Sequence, residues 1–94
     1  EKQEILQMKI KSGFVLREVA GKAVVIAVGE ASKSFHGMIN LNSTGKVIWQ
    51  GVEKGLSEEE ITSLIVDTFD VDVQTAQSGV HRMIGQMQDA GVIE

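Results

Sequence analysis

Met38-Ile39-Asn40-Leu41-Asn42-Ser43-Thr44-Gly45-Lys46-Val47-Ile48-Trp49 is where the apolar residues of this chain change period. Up to Leu41 they follow the pattern of strands, and beyond Asn42 that of helices. Met38 to Leu41 reads as a short third strand. Gly29 to Gly37 ahead of it is too long for a tight hairpin turn and reads as a loop. Two β-branched runs, Phe14 to Ala20 and Ala23 to Val28, stand about Gly21-Lys22 and predict an antiparallel hairpin. Phe14 and Leu16, joined by Val19, are expected to face inward, with Arg17 and Glu18 in water. The second run is apolar almost throughout, which marks it as the middle strand.

On the helical side, Asn42 or Ser43 supplies an N-cap for a short helix carrying Val47, Ile48 and Val52, and Gly55 ends it. Ser57-Glu58-Glu59-Glu60 is a capping box opening a helix with Ile61, Leu64, Ile65 and Phe69 on one face. Asp70 or Asp72 caps a last helix with the stripe Val73, Ala76, Val80, Met83, Ile84 and Met87. Gly91 suits a left-handed residue past its end, with Val92-Ile93 folding back on the core. Three strands followed by three helices predict an α+β domain, winged-helix-like, whose last two helices form a helix-turn-helix. Gly79 and Gly85 inside the last helix each cost about 1 kcal/mol relative to Ala, a cost that packing or the close approach of another chain offsets.

Length and composition agree with a single domain over residues 1–94, the first seven loosely held. Apolar residues make up 43% and charged ones 23%, the balance of a globular chain. No apolar run matches the roughly 20 residues needed to span a bilayer, and Glu1 to Lys11 lacks the apolar core of a secretion signal. The expected location is cytoplasmic, with no membrane partner. Cysteine is absent, so disulfides, thiolate catalysis and Cys-ligated zinc are excluded.

Charge is unevenly spread. Residues 1–50 hold seven Lys/Arg against four Asp/Glu, a balance of +3, and residues 51–94 hold two against nine, a balance of −7. A recognition helix would lie in the acidic half, where the last helix offers only His81 and Arg82 beside Asp72 and Asp89. Phosphate binding needs the opposite arrangement. A winged-helix DNA-binding regulator is therefore the second reading, and no nucleic-acid partner is expected.

Catalytic patterns do not assemble. Glu58, Glu59 and Glu60 diverge around a helix, and capping accounts for Glu60. Asp67 to Asp72 holds three closely spaced acids, but it lacks the central glycine and the closing glutamate of a calcium loop. His36 and His81 have no nucleophile near them in sequence, and Ser32, Ser34 and Ser43 lack the G-x-S-x-G context. Ser43-Thr44-Gly45-Lys46 falls short of a phosphate loop, because Val47 stands where a hydroxyl is needed. No catalytic residue, metal site or cofactor is expected. Trp49, the sole tryptophan, sits beside the Ile48–Val52 stripe and is assigned to packing between helices. Met38, Met83 and Met87 offer an adaptable apolar surface of the kind that accepts varied peptides.

Leu41-Asn42-Ser43-Thr44-Gly45-Lys46-Val47-Ile48-Trp49 resembles the L-N-x-T-G/A-x-x-I/V-W segment of the coenzyme PQQ synthesis protein D (PqqD) family. Asp70-Val71-Asp72 before the last helix, Val80 to Met87 along it and Ala90-Gly91-Val92-Ile93 at its end agree with that family. So do Met8-Lys9-Ile10-Lys11 and Gly13 to Arg17, and the resemblance spans roughly residues 8 to 94. Departures are Gly79, where the family often has Asp, the methionines at 83 and 87, and Gly85.

The resemblance implies a RiPP recognition element, a non-catalytic adaptor that binds the leader segment of a ribosomally made precursor peptide. It implies presentation of that peptide to a modifying enzyme, often a radical SAM protein. It also implies that the leader lies as an added strand beside Gly37, Met38, Ile39, Asn40 and Leu41, opposite Val80, Met83, Ile84 and Met87 of the last helix. The residues on their own are compatible with this, since a short third strand after a long loop makes an edge with unpaired backbone groups. A third reading is self-assembly, in which that edge pairs with its own copy or the 29–37 loop exchanges strands to give a homodimer.

Overall fold

The computed structural model describes residues 9–34 and 38–93, so Gly37, His36 and the first eight residues lie outside the described residues. Its element order is β1 (Phe14–Val19), β2 (Lys22–Ala27), α1 (Ala31–Ser34), β3 (Met38–Leu41), α2 (Ser43–Glu53), α3 (Glu58–Thr68) and α4 (Val73–Asp89). The strands form an antiparallel sheet in the order β1-β2-β3, which puts the most apolar run in the middle as expected. The predicted loop 29–37 contains one turn of helix, α1, that periodicity over four residues was too short to reveal.

The hairpin turns one residue earlier than expected. Val19 pairs with Lys22, so the two-residue loop is Ala20-Gly21. Both have positive φ, +54° and +78° respectively, as a type I′ turn requires. Ala20 is thus an L-residue with a Cβ held in the left-handed region, where asparagine is better tolerated. Ala20→Asn should raise stability by about 1 kcal/mol, read as a higher urea midpoint. An unchanged or lower midpoint would contradict this turn geometry.

Register also corrects Val19. Phe14, Leu16 and Glu18 share one face of β1, and Val19 lies on the other, 58% exposed. Alternation sets the parity of the strand, whatever the hydrophobicity of its last residue. Glu18 on the inner side reaches α2 and pairs with Lys46.

The helices cover the sheet face formed by Leu16, Val25 and Ile39. Ile48, Trp49 and Val52 of α2, Ile61 and Ile65 of α3, and Ala76, Val80, Ile84 and Met87 of α4 close the core with Val25 and Val92. Val73, placed on the stripe by periodicity, is instead exposed at the start of α4. The caps are as anticipated. Asn42 Oδ1 accepts from Gly45 N–H at 2.7 Å. Ser57 Oγ accepts from Glu60 N–H at 3.1 Å, while Ser57 N–H donates to Glu60 Oε1 at 2.9 Å. At the end of α4, Gly91 N–H donates to Gln88 O and Val92 N–H to Met87 O, a Schellman motif with Gly91 at φ +77°. That turn drives Val92 into the core and lets Ile93 bridge to Ile10.

Asp72 is the N-cap of α4, and its Oδ1 accepts from Thr75 N–H at 2.8 Å. Hydrogen bonding from Thr75 holds this carboxyl below the usual carboxylate range. A depressed folded value means that the cap contributes stability above the unfolded pKa and loses it as pH falls through the folded one. Asp72→Asn, which still caps, should therefore show a shallower loss of stability on acidification than the parent, measured by urea unfolding across that range.

Gly51 of α2 packs against Ile61 of α3 with no room for a side chain of its own. A Cβ built on it would meet Ile61 Cγ1 at 2.7 Å, and Ile61 is fully buried. Gly51→Ala should lower stability by about 1–3 kcal/mol through overpacking, outweighing the helix-propensity gain of about 1 kcal/mol. A stabilised Gly51→Ala protein would refute that contact.

Candidate functional site

β3 pairs with β2 on one side only, in the register Val25↔Ile39 and Ala23↔Leu41. Among the described residues no strand lies along its other side, which leaves alternate N–H and C=O groups of Met38–Leu41 unpaired with a further strand. Ile93 bridges to Ile10 and does not lie along this edge.

Beside this edge runs a groove of about 470 Å³, floored by Ile48 and Trp49 and walled by β3 and the start of α2 on one side and α4 on the other. Ile39 and Leu41 face the core side of the sheet and line it, with Asn40 at the rim. Met83 and Met87 line the opposite wall, Met83 half-buried and Met87 buried. The structure thus brings together Ile39, Asn40, Leu41, Met83 and Met87 of the expected set.

Of the rest, Gly37 lies outside the described residues, and Met38, Val80 and Ile84 sit elsewhere. Met38 points to the outer face of the sheet, 59% exposed and away from the groove. Val80 and Ile84 do not line it: at 1% and 2% exposure they belong to the core behind α4. Their spacing of four puts them on the innermost stripe of the helix, one step round from the wall.

Several lining residues escaped the sequence reading, among them Asn42, Thr44, Gly79, Arg82, Gln86 and Ala90. On α4 the positions 79, 82, 83 and 86, with Ala90 just past its end, form a second stripe beside the core stripe 76, 80, 84 and 87. Apart from Met83, this second stripe is small, polar or charged, so hydropathy carries little trace of it. The detectable sign was Gly79, a glycine inside a helix. A Cβ added there meets nothing within 4 Å, so the space in front of it is open.

Trp49 is fully buried, and its Nε1–H donates to Glu53 Oε2 at 3.0 Å, one turn along α2. His81 Nδ1 lies 3.3 Å from Glu58 Oε1, tying α4 to the start of α3 at the surface. Among the described residues no cluster of three or more His, Cys, Asp or Glu is placed to hold a metal ion. No helix among them is long and apolar enough to cross a membrane. The site is an apolar slot beside a strand edge, suited to holding an extended chain.

A family model described as coenzyme PQQ synthesis protein D (PqqD) matches residues 13–93. Among solved structures, the chain is similar to one described as TbiB1 in complex with the TbiA(beta) leader peptide. Identity is 21% and the TM-score 0.74, covering 92% of this chain and 94% of that one. It is also similar to a lasso peptide synthetase B1 complexed with the leader peptide, at 12% identity and a TM-score of 0.77, covering 95% of this chain and 99% of that one. At such identities the likeness is one of fold. No curated protein matches the chain significantly.

Proposed function

Since the chain belongs to the PqqD family, we propose that it is a non-catalytic peptide adaptor: it binds the leader segment of a ribosomally made precursor and presents it to a modifying enzyme. The reading is carried by the open side of β3 running beside an apolar groove. An extended peptide added to that edge gains backbone hydrogen bonds, and its alternate side chains enter the slot between Leu41 and Met83. Ile39, Asn40, Leu41, Met83 and Met87 make the contacts, Val80 and Ile84 hold the helical wall from behind, and Met38 borders the strand from its outer face. The description of both fold neighbours as leader-peptide complexes supports the peptide-binding reading.

The magnitudes are adequate and modest. Roughly four or five net hydrogen bonds at about 1 kcal/mol each, with about two apolar side chains at about 2 kcal/mol each, total roughly 8 to 9 kcal/mol. Ordering the peptide subtracts a few, so micromolar affinity, about −8 kcal/mol, is the tight end of the range. Such an affinity suits a cytoplasmic escort that must also release its cargo, with a radical SAM protein as the class of enzyme that receives it.

The test is titration with synthetic leader segments of short precursor peptides encoded beside the gene. Binding should shift the backbone amides of Ile39, Asn40 and Leu41 by NMR and alter the emission of Trp49, the sole tryptophan. Peptides that bind without moving those amides would refute strand addition, and the absence of binding by any leader would refute the adaptor reading.

A further inference from the structure

We propose that the groove selects peptides bearing a carboxylate: Arg82 reads an acidic residue of the bound strand, with a large apolar residue two positions away set against Gly79 and Met83. This rests on the peptide-binding reading and deepens it. Among the residues lining the groove, Arg82 alone carries a formal charge. It is not there as part of a general basic surface, since residues 51–94 contain only Lys54 and Arg82 as cations against nine acids.

Among the described residues nothing employs this guanidinium. Arg82 is exposed and makes no hydrogen bond or ion pair with a described residue. The helical positions three and four residues to either side are Gly79, Ser78, Gly85 and Gln86, so no carboxylate of α4 lies where it would neutralise the charge. Arginine presents planar paired donors that match a carboxylate, and the apolar floor of Ile48 and Trp49 reduces the screening such a pair would meet in open water.

Spacing sets the second half of the recognition. Side chains on one face of an added strand recur about every 6.6 Å. Gly79 and Arg82 are one helical turn apart, about 4.5 Å along the axis, and the flexible arginine stem spans the remainder. The open space before Gly79 accepts bulk that a side chain there would occupy. The bound segment therefore presents an acid and a large apolar residue in an i, i+2 relation, in an order set by strand direction.

A displayed library of random linear 15-residue peptides, selected on the full chain, tests this without knowledge of the natural cargo. Selected peptides are counted as groove binders only if Gly79→Phe abolishes their binding. The expected result is enrichment of Asp or Glu two positions from a large apolar residue. Replacing that acid by its amide should weaken binding about tenfold, the size of one partly shielded charge-assisted pair. Arg82→Glu should weaken the acidic peptide still further and prefer a Lys-substituted version of it. Groove binders without an enriched acid, or with equal affinity for Arg82→Gln and Arg82→Glu proteins, would overturn this inference alone. A selection that yields no groove binder would overturn the adaptor reading and this inference with it.

Discussion

Gly79→Phe is expected to abolish peptide binding, by at least about 100-fold, the loss of roughly 3 kcal/mol of contact, while the protein folds as before or more firmly. Gly79 lines the groove, and a Cβ on it meets nothing within 4 Å beyond its own stretch of helix backbone. The aromatic ring would lie in the slot that the peptide's side chains need, without displacing the core. Helix interiors also disfavour glycine, so Gly79→Ala should raise stability by about 1 kcal/mol, or roughly 4–8 °C in Tm for a domain of this size, and serves as the control for folding. Circular dichroism melts and titration with a leader peptide measure both effects together. If Gly79→Phe bound the peptide as tightly as the parent, the groove would not be the site.

Trp49→Ala should lower stability by about 3–5 kcal/mol. Against the 5–15 kcal/mol typical of whole domains, this loss brings the chain close to unfolding at ambient temperature. Trp49 is the largest fully buried side chain, lies between sheet and helices, and floors the groove. Its removal leaves a cavity and also strips Glu53 of its indole donor. Trp49→Phe keeps most of the volume and should fall between the two. Urea unfolding monitored by circular dichroism decides the matter, and a loss below about 1 kcal/mol would mean that the core repacks around this position.

The contrast between these two sites explains what could be read from the amino-acid order and what could not. Capping residues act locally, so Asn42, Ser57 and Asp72 announced the starts of their helices, and Gly55 and Gly91 the ends of theirs. The core stripes of α3 and α4 were legible because burial imposes a helical period on apolar residues. Strand parity was harder. Val19 is apolar yet faces out, because register through Ala20-Gly21 decides its side. Val80 and Ile84 were placed at the groove wall by the family resemblance alone, and they lie in the core, where their apolar spacing also puts them. The groove stripe itself, with Gly79, Arg82 and Gln86, mixes small, charged and polar residues, and only three-dimensional packing reveals that they share a face.

The pairing of Ile10 with Ile93, and of Lys11 N–H with Val92 O at 2.9 Å, brings two distant points of the chain together opposite ends of the same bridge. The stretch from Ile10 to Ile93 starts and stops side by side, and a segment of that kind can be let into a loop of a host protein with little distortion of either. Grafted in this way, or tethered by one short linker, it would raise the local concentration of cargo near an active centre without any new contact between the two.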